Sequence, residues 1–254
     1  MDYGLAGKHV LVTGGATGIG RAIAAAFIAE GAMATISGLS TTEVAAACEQ
    51  LGAASAGLAG DLTKAGEADR LADFAEARAP VDILINNIGV FEVRDFFETT
   101  DERWFEYFDI NVMTAVRMTR RLMRPMLERG HGSIVFISSE SAVKPQGWMV
   151  HYGAMKTCLL GLSRALAELT KGTRVTVKYG FAGRVLLGPR GKAGRVTMPL
   201  TVLPSRIGIE AQLCNSSRTL LSSAICIDSV FKCSGSTVGD HVTMPWNAAV
   251  RCAQ

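Results

Sequence analysis

From residue 8 onward, short apolar runs alternate with longer stretches in which apolar residues recur every three or four positions. His9-Val10-Leu11-Val12-Thr13 is a nearly continuous apolar run of strand length, which predicts a strand buried on both faces. Ile19, Ile23, Ala26, Phe27 and Ala29 then fall on one helical face, with Arg21 and Glu30 outside it and Gly31 as the stop. Further strands are predicted over 32–37, 56–60, 81–85, 133–137 and 173–177. Helical periods fill 66–78 and a long stretch, 101–129, where Phe105, Phe108, Val112, Ala115, Met118 and Leu122 repeat at helical spacing; Leu159, Leu162, Leu166 and Leu169 mark another helix. Strands that alternate with helices predict an α/β fold, a Rossmann-like doubly wound parallel sheet with helices on both faces. Such sheets take ligands at the carboxyl ends of their strands.

Polar residues gather at those ends: Thr13, Asp61, Asn86, Asn87, Ser138 and Ser139. Each alone is an ordinary helix cap; six at successive strand ends suggest a site. Between the first strand and first helix lies Gly14-Gly15-Ala16-Thr17-Gly18-Ile19-Gly20. Glycines there let the backbone turn tightly and approach a pyrophosphate, while the helix N-terminus offers unpaired N–H groups and its positive dipole end. A glycine run by itself is a turn; the strand–turn–helix–strand context makes it a dinucleotide fingerprint.

Tyr152 and Lys156 are four apart, so they share a helix face. A lysine ammonium beside a phenol favours the phenolate, and the expectation is a lowered Tyr152 pKa suited to proton exchange with an alcohol or carbonyl. Ser139, thirteen residues earlier at a strand end, is placed to donate a hydrogen bond to the same substrate oxygen. An isolated Tyr-x-x-x-Lys would be an amphipathic helix with an exposed lysine. His9, His131 and His151 lack metal-ligand spacing and read as ordinary polar residues. His151 either lines the site beside Tyr152 or is structural, and Glu140 is either a substrate contact or a helix-start charge.

Composition narrows the class. At 48% hydrophobic and 19% charged residues the chain can bury a core, which excludes disorder. No apolar run is long enough to cross a bilayer, the start Met1-Asp2-Tyr3-Gly4 is not a secretory signal, and no nucleic-acid motif is present. A cytoplasmic protein is expected. The net charge of +3 is an average over unlike parts. Residues 1–182 hold 18 basic and 20 acidic side chains, whereas 183–254 hold 8 and 3, together with Cys214, Cys226, Cys233 and Cys252. No Cys-x-x-Cys pair occurs, so no metal is expected.

Taken together, Thr13-Gly14-x-x-x-Gly18-x-Gly20, Asp61-Leu62, Asn86-Asn87-Ile88-Gly89, Asn111 within a helix, Ser139 and Tyr152-x-x-x-Lys156 resemble the short-chain dehydrogenase/reductase family over about residues 8–177. The resemblance implies NAD(P)-dependent hydride transfer between a nicotinamide and a carbonyl or secondary alcohol. It makes Tyr152 the general acid/base, Ser139 the group that polarises the substrate oxygen, Lys156 the holder of the nicotinamide ribose, and Asn111 the anchor of a proton-relaying water. Gly14, Thr17, Gly18, Ile19 and Gly20 would face the pyrophosphate, Asp61 and Leu62 the adenine, and Asn86 and Gly89 the neighbouring ribose, with Tyr152 and Lys156 also touching cofactor. A small-molecule partner and a homotetramer or homodimer are implied, with no nucleic acid or membrane partner.

Two departures lie inside the matched stretch. Where an NAD user places an acid near the end of the second strand the chain has Ser37-Gly38-Leu39, and neither Leu39 nor Ala16 is basic, although Ser40 and Thr41 offer hydroxyls. Cofactor choice stays between NAD and NADP, leaning to NADP. Ile88 stands where the family usually has alanine. Beyond residue 177 the family's Asn-x-x-x-Pro-Gly turn and last helices and strand are not found, so 1–182 is expected to be the catalytic core and 183–254 an atypical segment that normally completes the same domain. Lys178-Tyr179-Gly180-Phe181-Ala182-Gly183 can be encoded by AAA TAC GGT TTT GCC GGG, which one base later reads Asn-Thr-Val-Leu-Pro with a glycine codon begun. A one-base insertion near codon 178 is therefore expected. If the tail is genuine, the competing expectation is a nucleotide-binding but catalytically impaired relative.

Overall fold

A computed structural model describes residues 3–182 and 201–204. Seven strands form one sheet in the order β3-β2-β1-β4-β5-β6-β7. They are β1 (His9–Val12), β2 (Met33–Gly38), β3 (Ser55–Ala59), β4 (Ile83–Asn86), β5 (His131–Ser139), β6 (Arg174–Ala182) and β7 (Thr201–Pro204). The first six run parallel, joined by α1 (Gly18–Ala29), α2 (Thr41–Leu51), α3 (Glu67–Glu76), α4 (Asp101–Phe108) with α5 (Thr114–Glu128), and α6 (Val150–Glu168). β7 lies antiparallel on the edge of β6, an addition to the wholly parallel sheet that the sequence predicts.

The period of two in the strands distributes the core. Val10, Val12, Ala34, Ile36, Ile83, Ile85, Val135 and Ile137 pack on one face with Ile23 and Phe27 of α1 and Val44 of α2. Leu11, Leu84, Ile134, Phe136, Val175 and Val177 face the other way, against Leu71 of α3, Met118, Leu122 and Met126 of α5, and Leu159 of α6. Helices on both faces force the chain to wind outward from β1 in one direction and from β4 in the other. That leaves a crevice at the carboxyl ends of β1 and β4. Among the described residues no helix is long and apolar enough to cross a membrane.

Two elements differ from expectation in ways that matter for the site. The long helix is divided by a widened, π-type turn at Asp109–Met113. One residue inserted into the helix rotates everything before it by about a third of a turn relative to the residues after it. The face that would have buried Phe105 and Phe108 consequently buries Tyr107, 1% exposed, while Phe105 is 74% exposed. The sixth strand, expected to stop at residue 177, runs on to Ala182 in unbroken register with β5, from His131 opposite Arg174 to Ser139 opposite Ala182. The expectations for the family's later motifs lie almost wholly outside the described residues.

Candidate active site

The glycine turn packs directly on its neighbours. A Cβ on Gly20 would stand 2.3 Å from Gly14 O and 2.6 Å from Asn87 Nδ2, so α1 meets the turn at a separation that no other residue permits. Asn87 donates from Nδ2 to the carbonyls of Thr13 and Gly14, each at 3.1 Å, and Thr13 Oγ1 accepts from Asn87 N at 3.0 Å while donating to Ile85 O. These bonds lock β4 to the β1 turn and use Thr13 and Asn87 as tethers. Gly14 and Gly18 have positive φ, Ile19 is partly buried, and Thr17 precedes α1 without a side-chain capping bond, so the first-turn N–H groups point out of the sheet uncapped.

Just beyond β3, Asp61 accepts from Thr63 N and Oγ1, at 3.0 and 2.7 Å, which holds its carboxyl below the usual range. Leu62 is buried, and its carbonyl takes a hydrogen bond from Arg117, which also pairs with Asp109. Asn86 turns beneath α5, donating to Thr119 Oγ1 at 3.0 Å, and its Oδ1 is a buried acceptor with no partner. Ile88 adds bulk beside Gly14 and packs on the core below α5.

β5 and α6 carry the reacting side chains. Ser139 ends β5 and accepts from Ser141 N at 3.2 Å; its hydroxyl lies near enough to that of Tyr152, at the start of α6, to favour the phenolate. Burial pushes the Tyr152 phenol above its ordinary value, and Ser139 acts in the opposite sense. Lys156, one turn on, is 3% exposed and donates from Nζ to Ile137 O at 3.1 Å, while Ser138 Oγ fixes its backbone by donating to Lys156 O at 2.9 Å. Its Nζ is 5.7 Å from the centre of the Tyr152 ring. Burial draws the ammonium down to about 8. The expected lowering of the Tyr152 pKa by Lys156 is therefore not found. Desolvation sets the direction, and the lysine's own hydrogen bond goes to a strand carbonyl.

Asn111 sits in the widened turn, where Nδ2 donates to Tyr107 O and Oδ1 accepts from Val90 N, both at 3.1 Å. A Cβ on Gly89 would be 2.7 Å from Lys156 Nζ and 3.0 Å from Asn111 Oδ1, so Gly89, Asn111 and Lys156 meet at one point. Tyr152, Ser139, Lys156, Asn111 and Gly89 are thus brought together beyond the ends of β4 and β5. The glycine turn adjoins them through Asn87.

His151 faces away from this group. Its ring is buried edge-on to Tyr107, 4.5 Å between centres, and to Trp104, with Nε2 unpartnered. Burial lowers its pKa, so it serves as a neutral packing residue between α4 and α6. Glu140 begins a short helical turn and pairs with Lys144 at 3.2 Å. His9 bridges Ala79 O and Thr35 Oγ1, and His131 approaches Asp82 at 3.6 Å.

Sequence reasoning overlooked two features of the surroundings. Phe91 tilts over Tyr152 with ring centres 6.0 Å apart. Glu92 receives Arg103 through Nε and Nη2, at 3.0 and 2.7 Å. The signal was present as three phenylalanines interleaved with charges directly after Gly89.

Comparison with known proteins identifies the family. The family model for short chain dehydrogenase matches residues 8–186. This chain belongs to that family. It is an enzyme of the short-chain dehydrogenase/reductase type, an oxidoreductase on a Rossmann-like sheet. The oxidoreductase YvrD of Bacillus subtilis is 43% identical over 185 residues, covering 72% of this chain and 70% of that protein. L-sorbose reductase of Gluconobacter frateurii, solved with NADPH and L-sorbose, superposes with a TM-score of 0.67 at 31% identity, covering 70% and 69% of the two chains. A 3-oxoacyl-[acyl-carrier protein] reductase of Brucella melitensis with bound NAD gives 0.67 at 28% identity, covering 72% and 73%.

Proposed function

We propose that this chain transfers hydride between a nicotinamide cofactor and a carbonyl or secondary alcohol of a small molecule, with Tyr152 as the general acid/base. The observation that carries the reading is Ser139 beside the hydroxyl of the half-buried Tyr152, one helical turn from the buried Lys156, next to a glycine turn at the sheet's switch point. The residues present fit a dinucleotide. Gly20 brings α1 against the turn, Thr17 leaves the helix N-terminus uncapped for a pyrophosphate, and Gly89 lies against Lys156 and Asn111. The bound nicotinamide supplies the hydride chemistry.

The side chains supply the proton. A phenol held above its ordinary value keeps its proton at neutral pH, which suits donation to the alkoxide that forms as a carbonyl is reduced. Ser139 spends its single hydroxyl proton on the same oxygen and so polarises the carbonyl beside the acid. Lys156, charged below about 8, faces the Tyr152 ring and favours the phenolate left after transfer. Asn111 holds the Gly89–Val90 backbone against Lys156 and anchors the proton relay behind it.

We infer a lean towards NADP, supported by the geometry of β2. A Cβ on Gly38 would lie 2.8 Å from Ala16 Cβ and 3.0 Å from Val44 Cγ2, so the position has no room for a carboxylate that would bind ribose hydroxyls. Ser40 Oγ caps α2 by accepting from Glu43 N, which leaves Thr41 the freer hydroxyl of the two.

The test is turnover of NADPH by purified protein with a panel of ketones. Tyr152→Phe is expected to lower kcat by about a thousandfold or more while leaving cofactor binding, read by nucleotide fluorescence, within a few-fold of the parent. Folded parent protein that binds cofactor and never turns over would establish the impaired, nucleotide-binding relative instead. We also infer that residues 1–182 are the core of a single domain, and that 183–254 arise from a one-base insertion near codon 178.

A further inference from the structure

The loop from Ile88 to Thr100 exposes Val90, Phe91, Val93, Phe96 and Phe97 to solvent. Phe91 is 64% exposed even though its ring tilts at 59° over the ring of Tyr152. Arg94 N donates to Trp148 O at 3.2 Å, which ties this loop to the segment before α6, where Val143 and Trp148 are also exposed. Apolar side chains therefore stand on the two joined loops that flank the proton donor. Aromatic surface held open to water beside a reactive group gains free energy when an apolar ligand covers it.

The wall is held in place. Glu92, next to Phe91, is bound by Arg103 through two hydrogen bonds and by Arg94 at 2.8 Å. Arg103 also pairs with Glu106 and lies 4.7 Å over the ring of Tyr107, whose carbonyl bonds Asn111. A planar guanidinium with two carboxylates and an aromatic face is tightly constrained. These bonds leave the Glu92 carboxylate committed to arginines and drawn down to about 2, so it offers little to a substrate hydroxyl.

Resting on the reading of Tyr152 as proton donor, we propose that Phe91 is a specificity-determining residue and that the substrate carries a planar or bulky apolar group beside its carbonyl. Arg103 is the positioning residue that fixes the wall through Glu92. A polyhydroxylated substrate would have to give up water from its hydroxyls against an aromatic face that returns no hydrogen bond.

The experiment compares kcat/KM for an aryl methyl ketone and a ketohexose, with the reduced cofactor saturating, on the parent, Phe91→Ala and Arg103→Gln. The parent is expected to favour the aryl ketone by about tenfold or more, and Phe91→Ala to cut that ratio by about tenfold, chiefly through KM. Because Phe91 is exposed, its variant should unfold at the parent's temperature. Arg103→Gln should raise KM for the aryl ketone, and its effect should largely vanish in the Phe91→Ala background, since both act through one wall. A parent that prefers the ketohexose, or a Phe91→Ala variant that keeps the parent's ratio, overturns the assignment while leaving hydride transfer standing. Cofactor binding without turnover of any ketone overturns the proton-transfer reading, and this inference with it.

Discussion

Lys156 concentrates two opposing demands in one residue. Its proposed role beside Tyr152 and Gly89 calls for a cation, while its burial disfavours one and brings its pKa from 10.5 to about 8. In that pH interval the unfolded chain binds the proton more tightly than the folded one, so this group makes stability rise with pH from about 8 toward 10.5. Lys156→Met should abolish turnover yet stabilise the fold at pH 7 by about 1–2 kcal/mol, a Tm increase of a few degrees, with the gain fading near pH 10. Thermal denaturation of both proteins at several pH values checks this, and a variant less stable than the parent throughout would contradict it. For catalysis the sign is reversed. Tyr152 stays protonated well above neutrality, so the kcat/KM profile for ketone reduction should be level near pH 7 and fall through about 8 as Lys156 loses its charge. Lys156→Arg, whose guanidinium stays charged, should move that fall to higher pH. The four-residue spacing of Tyr152 and Lys156 was legible in the sequence because helix geometry is local. The direction of the Tyr152 shift was not, because burial is set by residues far apart along the chain.

At the scale of elements, alternation and glycine placement were informative. Apolar runs of strand length and helix periodicity near 3.6 placed β1 to β5 within a few residues, while β6 runs past its expected end at 177 to Ala182, and the glycine turn fell where β1 feeds α1. The widened turn at Asp109–Met113 escaped notice, since apolar spacing across it also fits an unbroken helix; only packing reveals that Tyr107 takes the buried place assigned to Phe105. That turn separates two helical faces and sets Asn111 between Val90 N and Tyr107 O. Of the six polar residues at strand ends, Thr13, Asn87 and Ser138 are spent on tethers, and Asn86 is turned under α5. A list of residue types does not distinguish these from Ser139. The junction of β1, α1 and β4 rests on Gly20, and a methyl there meets backbone atoms of the turn as well as a committed side chain. Gly20→Ala should therefore destabilise the protein by about 1–3 kcal/mol in denaturant titration and weaken nucleotide binding by about tenfold or more. A variant with parental stability and affinity would show that α1 moves aside freely.

For the whole molecule, charge and cysteine are distributed unevenly on the two sides of residue 182, which marks a boundary within the chain. The sheet adds a physical argument at the same place. β6 continues past residue 177 with Lys178, 4% exposed, opposite Val135 on an interior strand. The shifted reading replaces Lys178 with asparagine and follows with threonine, valine, leucine, proline and glycine, a strand end closed by a turn. Resequencing the gene should reveal one additional base near codon 178. The corrected chain, expressed beside the present one, should unfold cooperatively at a higher temperature and turn over ketones faster, because its sheet and its nicotinamide side would be completed by matching elements. An unchanged DNA sequence, with no continuation in the shifted frame that supplies apolar helix and strand periods, would instead establish 183–254 as the native tail and leave the core to work with it.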